Sequence, residues 1–124
     1  MKARILVVED ESIVQLDLQT RLRRLGHSVI GVASRGEEAV AKAVDLAPDL
    51  VLMDVRLEGA MDGLEAARRI RAEREIPIIF VTAFADSTEP ELIKLLRPCL
   101  SKPFATPELQ AAIARALGVE PDGN

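Results

Sequence analysis

Four short apolar runs, each followed by a polar residue, constrain the fold of this chain more than any other feature of its sequence. Continuous apolar runs of this length are typical of strands that are buried on both faces of a parallel sheet. The residues that follow the runs are Glu9 and Asp10, then Asp54, Thr82 and Lys102. Open α/β sheets place their sites at the carboxyl ends of their strands. If the runs are parallel strands of one sheet, these polar side chains therefore meet at one edge.

Helical periodicity between the runs completes an alternating pattern of strands and helices. We predict strands at 4–8, 28–33, 50–53, 76–81 and 99–101, and helices at 11–25, 36–47, 64–74, 90–96 and 106–117. Strict alternation predicts a parallel sheet that is covered by helices on both faces. The predicted fold class is therefore α/β, a (βα)5 doubly wound parallel sheet. For its strands we expect the flavodoxin-like order 2-1-3-4-5, one of the common orders of such sheets.

The length and composition fit one domain with an aliphatic core. The chain has 124 residues, which corresponds to about one domain. We assign residues 1–118 to this domain and expect residues 119–124 to form a frayed tail. Aromatic residues make up only 2% of the sequence, so leucine, isoleucine, valine and alanine must fill the core.

The charge and cysteine content exclude several classes of protein. A formal net charge of −4 argues against a nucleic-acid surface, because phosphate binding requires clustered lysine and arginine side chains. The single cysteine, Cys99, excludes an intrachain disulfide and a multi-cysteine zinc site, and it is typical of a reducing compartment. The sequence has neither the apolar segment of a signal peptide nor a stretch of transmembrane length. We therefore expect a cytoplasmic protein that binds neither nucleic acid nor membrane.

The acids at the predicted sheet edge have the chemistry of a magnesium site. The carboxylates of Glu9, Asp10 and Asp54 would repel one another at close range, and a divalent cation removes that penalty. Mg²⁺ prefers hard oxygen ligands and takes a few carboxylates together with phosphate oxygens and water. The pair of acids after the first strand and the third acid after strand three suit that demand.

The other residues at this edge are suited to phosphoryl transfer. Asp54 is the candidate acceptor, because a carboxylate can attack a phosphoryl group and form an acyl phosphate. Catalysis of such a transfer consists mostly of positioning and charge neutralisation. We expect the Lys102 ammonium, the Thr82 hydroxyl and the backbone N–H of Ala83 to contact the phosphoryl oxygens.

The same residues allow other interpretations. Taken singly, each residue has an ordinary explanation as a helix cap, a turn residue, a strand residue or a surface lysine, and only their joint placement favours a site. A hydrolase with an aspartate nucleophile commonly carries a second acid two residues later, where this chain has Arg56. A flavin-binding carrier needs a hydroxyl- and glycine-rich loop after strand one, where this chain has acids that repel phosphate. An interaction module of the same fold that works without phosphorylation stays open.

The motifs of the chain, taken together, resemble the receiver domain of two-component response regulators. They are Ile5-Leu6-Val7-Val8-Glu9-Asp10-Glu11, Pro48-Asp49-Leu50-Val51-Leu52-Met53-Asp54, Asp62-Gly63, Val81-Thr82-Ala83 and Ser101-Lys102-Pro103-Phe104. The resemblance implies that Asp54 takes a phosphoryl group from a phosphohistidine, with Thr82 and Lys102 in contact with that group. It also implies that Glu9, Asp10, Asp54 and the backbone carbonyl of Arg56 bind Mg²⁺, and that the Lys102–Pro103 peptide is cis.

The resemblance further implies a signalling switch rather than an enzyme with a separate substrate. Its expected partners are a sensor histidine kinase or a histidine phosphotransfer protein. A downstream protein is expected on the face formed by the fourth predicted helix, the fifth strand and the fifth helix, and a phosphorylation-linked homodimer is a further expectation. We expect a single-domain response regulator. The alternative is a receiver domain cut from a larger response regulator or hybrid histidine kinase.

Among the departures from the pattern of the family is the residue at position 99. The residue three before Lys102 is usually aromatic in receivers, and here it is Cys99. In the family, that ring moves inward as the threonine moves toward the phosphate. With Cys99 we expect this coupling to be weaker or to use another residue, and we interpret Cys99 as a small buried hydrophobe.

Overall fold

A computed structural model describes residues 2–83 and 98–119 of the chain. Its strands are β1 (Arg4–Val8), β2 (Ser28–Ala33), β3 (Leu50–Asp54), β4 (Ile78–Thr82) and β5 (Cys99–Ser101). Its helices are α1 (Ser12–Arg24), α2 (Gly36–Leu46), α3 (Gly63–Glu73) and the C-terminal helix (Thr106–Ala116). The strands form one parallel sheet in the order β2-β1-β3-β4-β5, which confirms the predicted fold class.

The sheet is buried on both faces, as the apolar runs predicted. Every residue of β3 and β4 is buried. On one face, the sheet packs against α2 and α3 through residues such as Leu6, Met53 and Ile70. On the other face, it packs against α1 and the C-terminal helix through residues such as Leu52 and Leu109. The core is almost entirely aliphatic, with Phe80 as its one fully buried aromatic among the described residues.

Residues of the types that commonly begin or end helices do so at some of the helix ends in the structure. The Asp62 carboxylate accepts a hydrogen bond of 2.9 Å from the backbone N–H of Glu65 and so caps α3. Gly26 follows α1 with a φ of 93°, a conformation that favours glycine. Asp10 precedes α1 and is a residue type that often caps helices, but the cap position is Glu11, whose side chain makes no capping bond. The helix predicted at 90–96 lies outside the described residues.

His27 follows Gly26 in a turn, a position at which an exposed side chain is expected, but the structure buries it. The residue is only 4% exposed. Its Nδ1 accepts a hydrogen bond of 3.0 Å from the backbone N–H of Ala3, and its Nε2 lies 3.0 Å from Oε1 of Gln110. Because Nδ1 is an acceptor here, Nε2 carries the hydrogen and donates a hydrogen bond to Oε1 of Gln110. His27 therefore joins the start of the sheet to the C-terminal helix.

Among the helices of the described residues, none has the length and apolar character needed to cross a membrane.

Candidate functional site

The parallel register brings the predicted site residues to one edge of the sheet. Val8 pairs with Met53, so Glu9 follows β1 at the level where β3 ends in Asp54. Asp54 pairs with Val81, and Thr82 is the last residue of β4. The backbone N–H of Lys102 donates to the carbonyl of Thr82 at 3.0 Å, which holds Lys102 at the end of β5.

The three acids lie close enough together to share one cation. Glu9, Asp10 and Asp54 each offer a carboxylate oxygen, and these oxygens all lie within 4.8 Å of one another. Glu9 is 1% exposed and Asp54 is 6% exposed, whereas Asp10 is half-buried. Hard oxygen ligands grouped in this way fit the requirements of Mg²⁺. The donor set would supply carboxylates to the ion and leave its other positions to water, phosphate or a backbone carbonyl.

Lys102 bridges two of the acids. Its Nζ donates to Oε1 of Glu9 at 2.7 Å and to Oδ2 of Asp54 at 3.1 Å. The side chain of Lys102 is 22% exposed, so these ion pairs are shielded from much of the solvent. Paired charges at these distances are expected to hold the ammonium over the end of β3, beside the carboxylate that the sequence marks as the acceptor.

The carboxylate of Asp54 opens onto a cavity. Its Oδ1 accepts a hydrogen bond of 3.0 Å from the backbone N–H of Arg56, so both oxygens of the carboxylate have fixed partners. The cavity has a volume of about 340 Å³. It is lined by Asp10, Glu11, Asp54, Arg56, Thr82, Ala83 and Lys102. Since one water occupies about 30 Å³ in the liquid, a phosphoryl group, a cation and several waters have room there.

Burial and neighbouring charges shift the pKa values of Glu9, Asp10 and Lys102. Burial raises the pKa of Glu9, and the neighbouring Asp54 carboxyl raises it further, against the opposing hydrogen bond from Lys102. Burial and the nearby Glu9 carboxyl raise the pKa of Asp10. Burial lowers the pKa of Lys102, but its bonds to Glu9 and Asp54 outweigh that effect and raise the pKa overall. Burial and the neighbouring carboxyls thus disfavour the charged forms of Glu9 and Asp10.

Thr82 and Ala83 line the same cavity as Asp10 and Asp54. Thr82 is 1% exposed, and Ala83 follows it at the sheet edge. The Lys102–Pro103 peptide is cis, as the resemblance implied. All the site residues named from the sequence thus lie around one cavity or within one cluster of carboxylates.

Gly63 has a role that the sequence did not reveal. A Cβ atom at this position would lie 2.0 Å from the backbone oxygen of Asp54, so only glycine fits. Its N–H donates to the carbonyl of Val55 at 2.9 Å. The start of α3 therefore packs directly against the end of β3. The Asp62-Gly63 pair marked a helix start in the sequence, but it gave no sign of this close approach.

Cys99 is a half-buried residue of β5 that packs against the core. Burial raises the pKa of its thiol, which keeps the sulfur in its less reactive protonated form. This environment agrees with its interpretation as a small packing residue.

The comparison with known proteins agrees with this geometry. The chain matches the response regulator receiver domain family over residues 5–114. The transcriptional regulatory protein PdtaR of Mycobacterium tuberculosis is 38% identical, over 92% of this chain and 56% of its own length. The phyllosphere-induced regulator PhyR of Methylorubrum extorquens is 36% identical, over 94% of this chain and 44% of its own. The chain thus spans about half the length of these curated relatives.

Solved structures show the same likeness. The receiver domain of the sensor histidine kinase PA1611 from Pseudomonas aeruginosa is 36% identical and superimposes with a TM-score of 0.84, over 95% of this chain and 99% of that one. That structure holds a magnesium ion in its active site cleft. Because the family match covers most of the sequence, the chain belongs to the response regulator receiver domain family. Receiver domains of this kind are the signalling switches of two-component systems.

Proposed function

We propose that this receiver unit, residues 1–118, accepts a phosphoryl group on Asp54 in a reaction that depends on Mg²⁺, and thereby switches a protein-binding surface. The observation that carries the proposal is the Lys102 ammonium, which lies 2.7 Å from Glu9 and 3.1 Å from Asp54 beside a cluster of carboxylates. Phosphoryl transfer requires groups that bind a cation and a positive charge beside the acceptor, and here the carboxylates and the Lys102 ammonium surround Asp54.

The transfer would proceed by attack of an Asp54 carboxylate oxygen on phosphorus. The new P–O bond forms while the P–N bond of a phosphohistidine breaks, and the departing imidazole keeps the electron pair and takes up a proton. Lys102 lies where it can neutralise one phosphoryl oxygen, and Thr82 and the N–H of Ala83 line the cavity where the other oxygens would lie. Mg²⁺, held by Glu9, Asp10, Asp54 and the carbonyl of Arg56, would neutralise charge on the transferring group.

The partners follow from the same chemistry. The donor would be a sensor histidine kinase or a histidine phosphotransfer protein, and the output would be a downstream protein that binds near β4, β5 and the C-terminal helix. This surface is favoured because Thr82 and Lys102 end the two strands at that side of the sheet. Movement of those side chains toward a phosphoryl group would act on the adjoining surface as a two-state switch. A homodimer formed on phosphorylation is a further form of output.

The Mg²⁺ requirement gives the first test. Incubation with acetyl phosphate and Mg²⁺ should add the mass of one phosphoryl group to the intact protein, whereas EDTA should prevent the addition. Intact-mass spectrometry makes the measurement without a fluorophore, which suits a chain that lacks tryptophan. Uptake that persists in EDTA would contradict the proposed role of the acids. A lack of uptake from acetyl phosphate and from phosphohistidine donors alike would favour an interaction module that works without phosphorylation.

The raised pKa values of two acids predict a pH dependence. Because the pKa of Glu9 and of Asp10 is raised, protons compete with Mg²⁺ at a higher pH than for free carboxyls, so Mg²⁺ affinity should fall as the pH is lowered from neutral. In the metal-free protein, the same shifts stabilise the fold at low pH, and this stability is lost as the pH rises through the folded-state pKa values. Mg²⁺ titrations followed by amide NMR at several pH values would measure the first effect. Asp10→Asn should make the dependence shallower, and a pH-independent affinity in the wild type would contradict the prediction.

A further inference from the structure

The loop between β3 and α3, residues 55–62, contacts the segment that joins β2 to α2. This segment, called the brace (residues 33–36), comprises the last residue of β2, the turn residues Ser34 and Arg35, and the first residue of α2. Arg35 of the brace and Glu58 of the loop form an isolated parallel β-bridge. A Cβ atom on Gly59 would lie 3.6 Å from Nη1 of Arg35, so the guanidinium packs against that glycine. The middle of the loop is therefore fastened to the brace.

Gly36 makes the closest contact between the brace and the loop. A Cβ atom at Gly36 would lie 2.8 Å from both Cγ and the backbone oxygen of Met61. Met61 is only 8% exposed and belongs to the core, so its side chain has little freedom to move aside. Any side chain at position 36 must therefore displace the backbone of the loop. The requirement for glycine arises from this contact, because Gly36 does not adopt a positive φ.

The brace also contacts the other half of the candidate cation site. The carbonyl of Ala33 accepts a hydrogen bond of 2.9 Å from the backbone N–H of Glu9. A second cavity, of about 270 Å³, places Ala33 and Ser34 beside Asp10. One short turn thus contacts the segment that carries two of the acids and the loop that begins with Val55 and Arg56. Within the described residues, it connects the two sides of the site without contributing a ligand.

We propose that Arg35 and Gly36 are positioning residues for the cation site, and that the brace sets the distance between the Glu9–Asp10 segment and the carbonyl of Arg56. This inference rests on the proposed magnesium site. Mg²⁺ requires near-ideal octahedral geometry with ligands at about 2.0–2.1 Å, so a displacement of a few tenths of an ångström in the loop weakens its binding. Groups that orient metal ligands typically change metal affinity by about 10–100-fold when they are mutated.

Gly36→Ala tests the proposal against a closely matched control. The variant should bind Mg²⁺ about 10-fold more weakly than the wild type, as measured by Mg²⁺ titration with amide NMR shifts. Gly31→Ala introduces the same methyl group in the preceding strand, where its neighbours are the side chains of Leu46, Leu6 and Lys42, the nearest being Leu46 at 3.0 Å. It should leave Mg²⁺ affinity unchanged. Arg35→Ala, which leaves the core intact, should weaken Mg²⁺ binding in the same direction by a smaller factor. It keeps the proposal testable if Gly36→Ala does not fold.

The free energy of unfolding of each variant, measured without Mg²⁺, shows whether a loss of Mg²⁺ affinity arises from a displaced ligand or from a less stable fold. The positioning role predicts a loss of Mg²⁺ affinity in Gly36→Ala and Arg35→Ala that Gly31→Ala does not share, whatever its free energy of unfolding. If the wild type binds Mg²⁺ and both brace variants bind it equally well, the positioning role is wrong while the proposed function stands. If the wild type itself binds no Mg²⁺, the proposed function is wrong and the positioning role is overturned with it.

Discussion

Asp54→Asn is expected to reduce phosphoryl uptake from acetyl phosphate to background, while the protein still folds. The amide has nearly the shape of the carboxylate, but it lacks the nucleophilic oxygen that forms the acyl phosphate. The fold should persist, because loss of the bond to Lys102 is offset by relief of the repulsion from Glu9 and Asp10. Intact-mass spectrometry measures the uptake, and amide NMR spectra without donor confirm that the variant is folded.

Asp45→Asn provides the control for this substitution. Asp45 lies in α2 and is exposed, so its replacement makes the same chemical change away from the site. The control should take up one phosphoryl group at the wild-type rate. Uptake by Asp54→Asn at that rate would mean that another residue accepts the group, and the role assigned to Asp54 would be wrong.

Lys102→Ala is expected to slow phosphorylation of Asp54 by about 100–1,000-fold, the usual effect of removing one preorganised charge-stabilising group. The substitution removes the ammonium that lies 2.7 Å from Glu9 and 3.1 Å from Asp54. Without it, the pKa of Glu9 should rise further, because one of the interactions that lowers it is gone. The rate is measured as the growth of the phosphorylated mass at saturating Mg²⁺.

Lys102→Arg separates the charge from the shape of the side chain. It keeps a positive charge but replaces a compact ammonium with a wider planar group, so we expect a rate between those of the wild type and Lys102→Ala. A Lys102→Ala variant that is phosphorylated as fast as the wild type would show that the ammonium does not act on the transferring group. Circular dichroism of each variant excludes unfolding as the cause of a slow rate.

The fold was predictable because its signals are local. The apolar runs of β3 and β4 are buried along their whole length. Such runs in a sequence predict the strands of a parallel sheet. Alternation with helices then leaves few arrangements, since parallel crossovers have a fixed hand. The sheet edge that gathers Glu9, Asp54 and Thr82 follows from this topology alone. The presence of these residues around one site could therefore be predicted before any distance was measured.

The burial of His27 and the need for glycine at two positions, which sequence reasoning missed, depend on contacts between segments that are separated in the sequence. His27 is buried because Gln110, 83 residues later, meets its ring. A side chain at Gly63 would clash with the backbone oxygen of Asp54, and a side chain at Gly36 would clash with Met61. No local pattern distinguishes a glycine that ends a helix from one that admits a neighbouring chain segment. Such contacts become visible only when the packing of the elements is known.

The central claim, that Asp54 is the phosphoryl acceptor, is tested most directly by locating the modified residue. Borohydride reduces an aspartyl phosphate to homoserine, which is stable to digestion and peptide sequencing by mass spectrometry. Protein treated with acetyl phosphate and Mg²⁺ and then reduced should contain homoserine at position 54 and aspartate at position 10. Homoserine at another acid, or phosphate on a histidine or a hydroxyl group with an unmodified Asp54, would contradict this account.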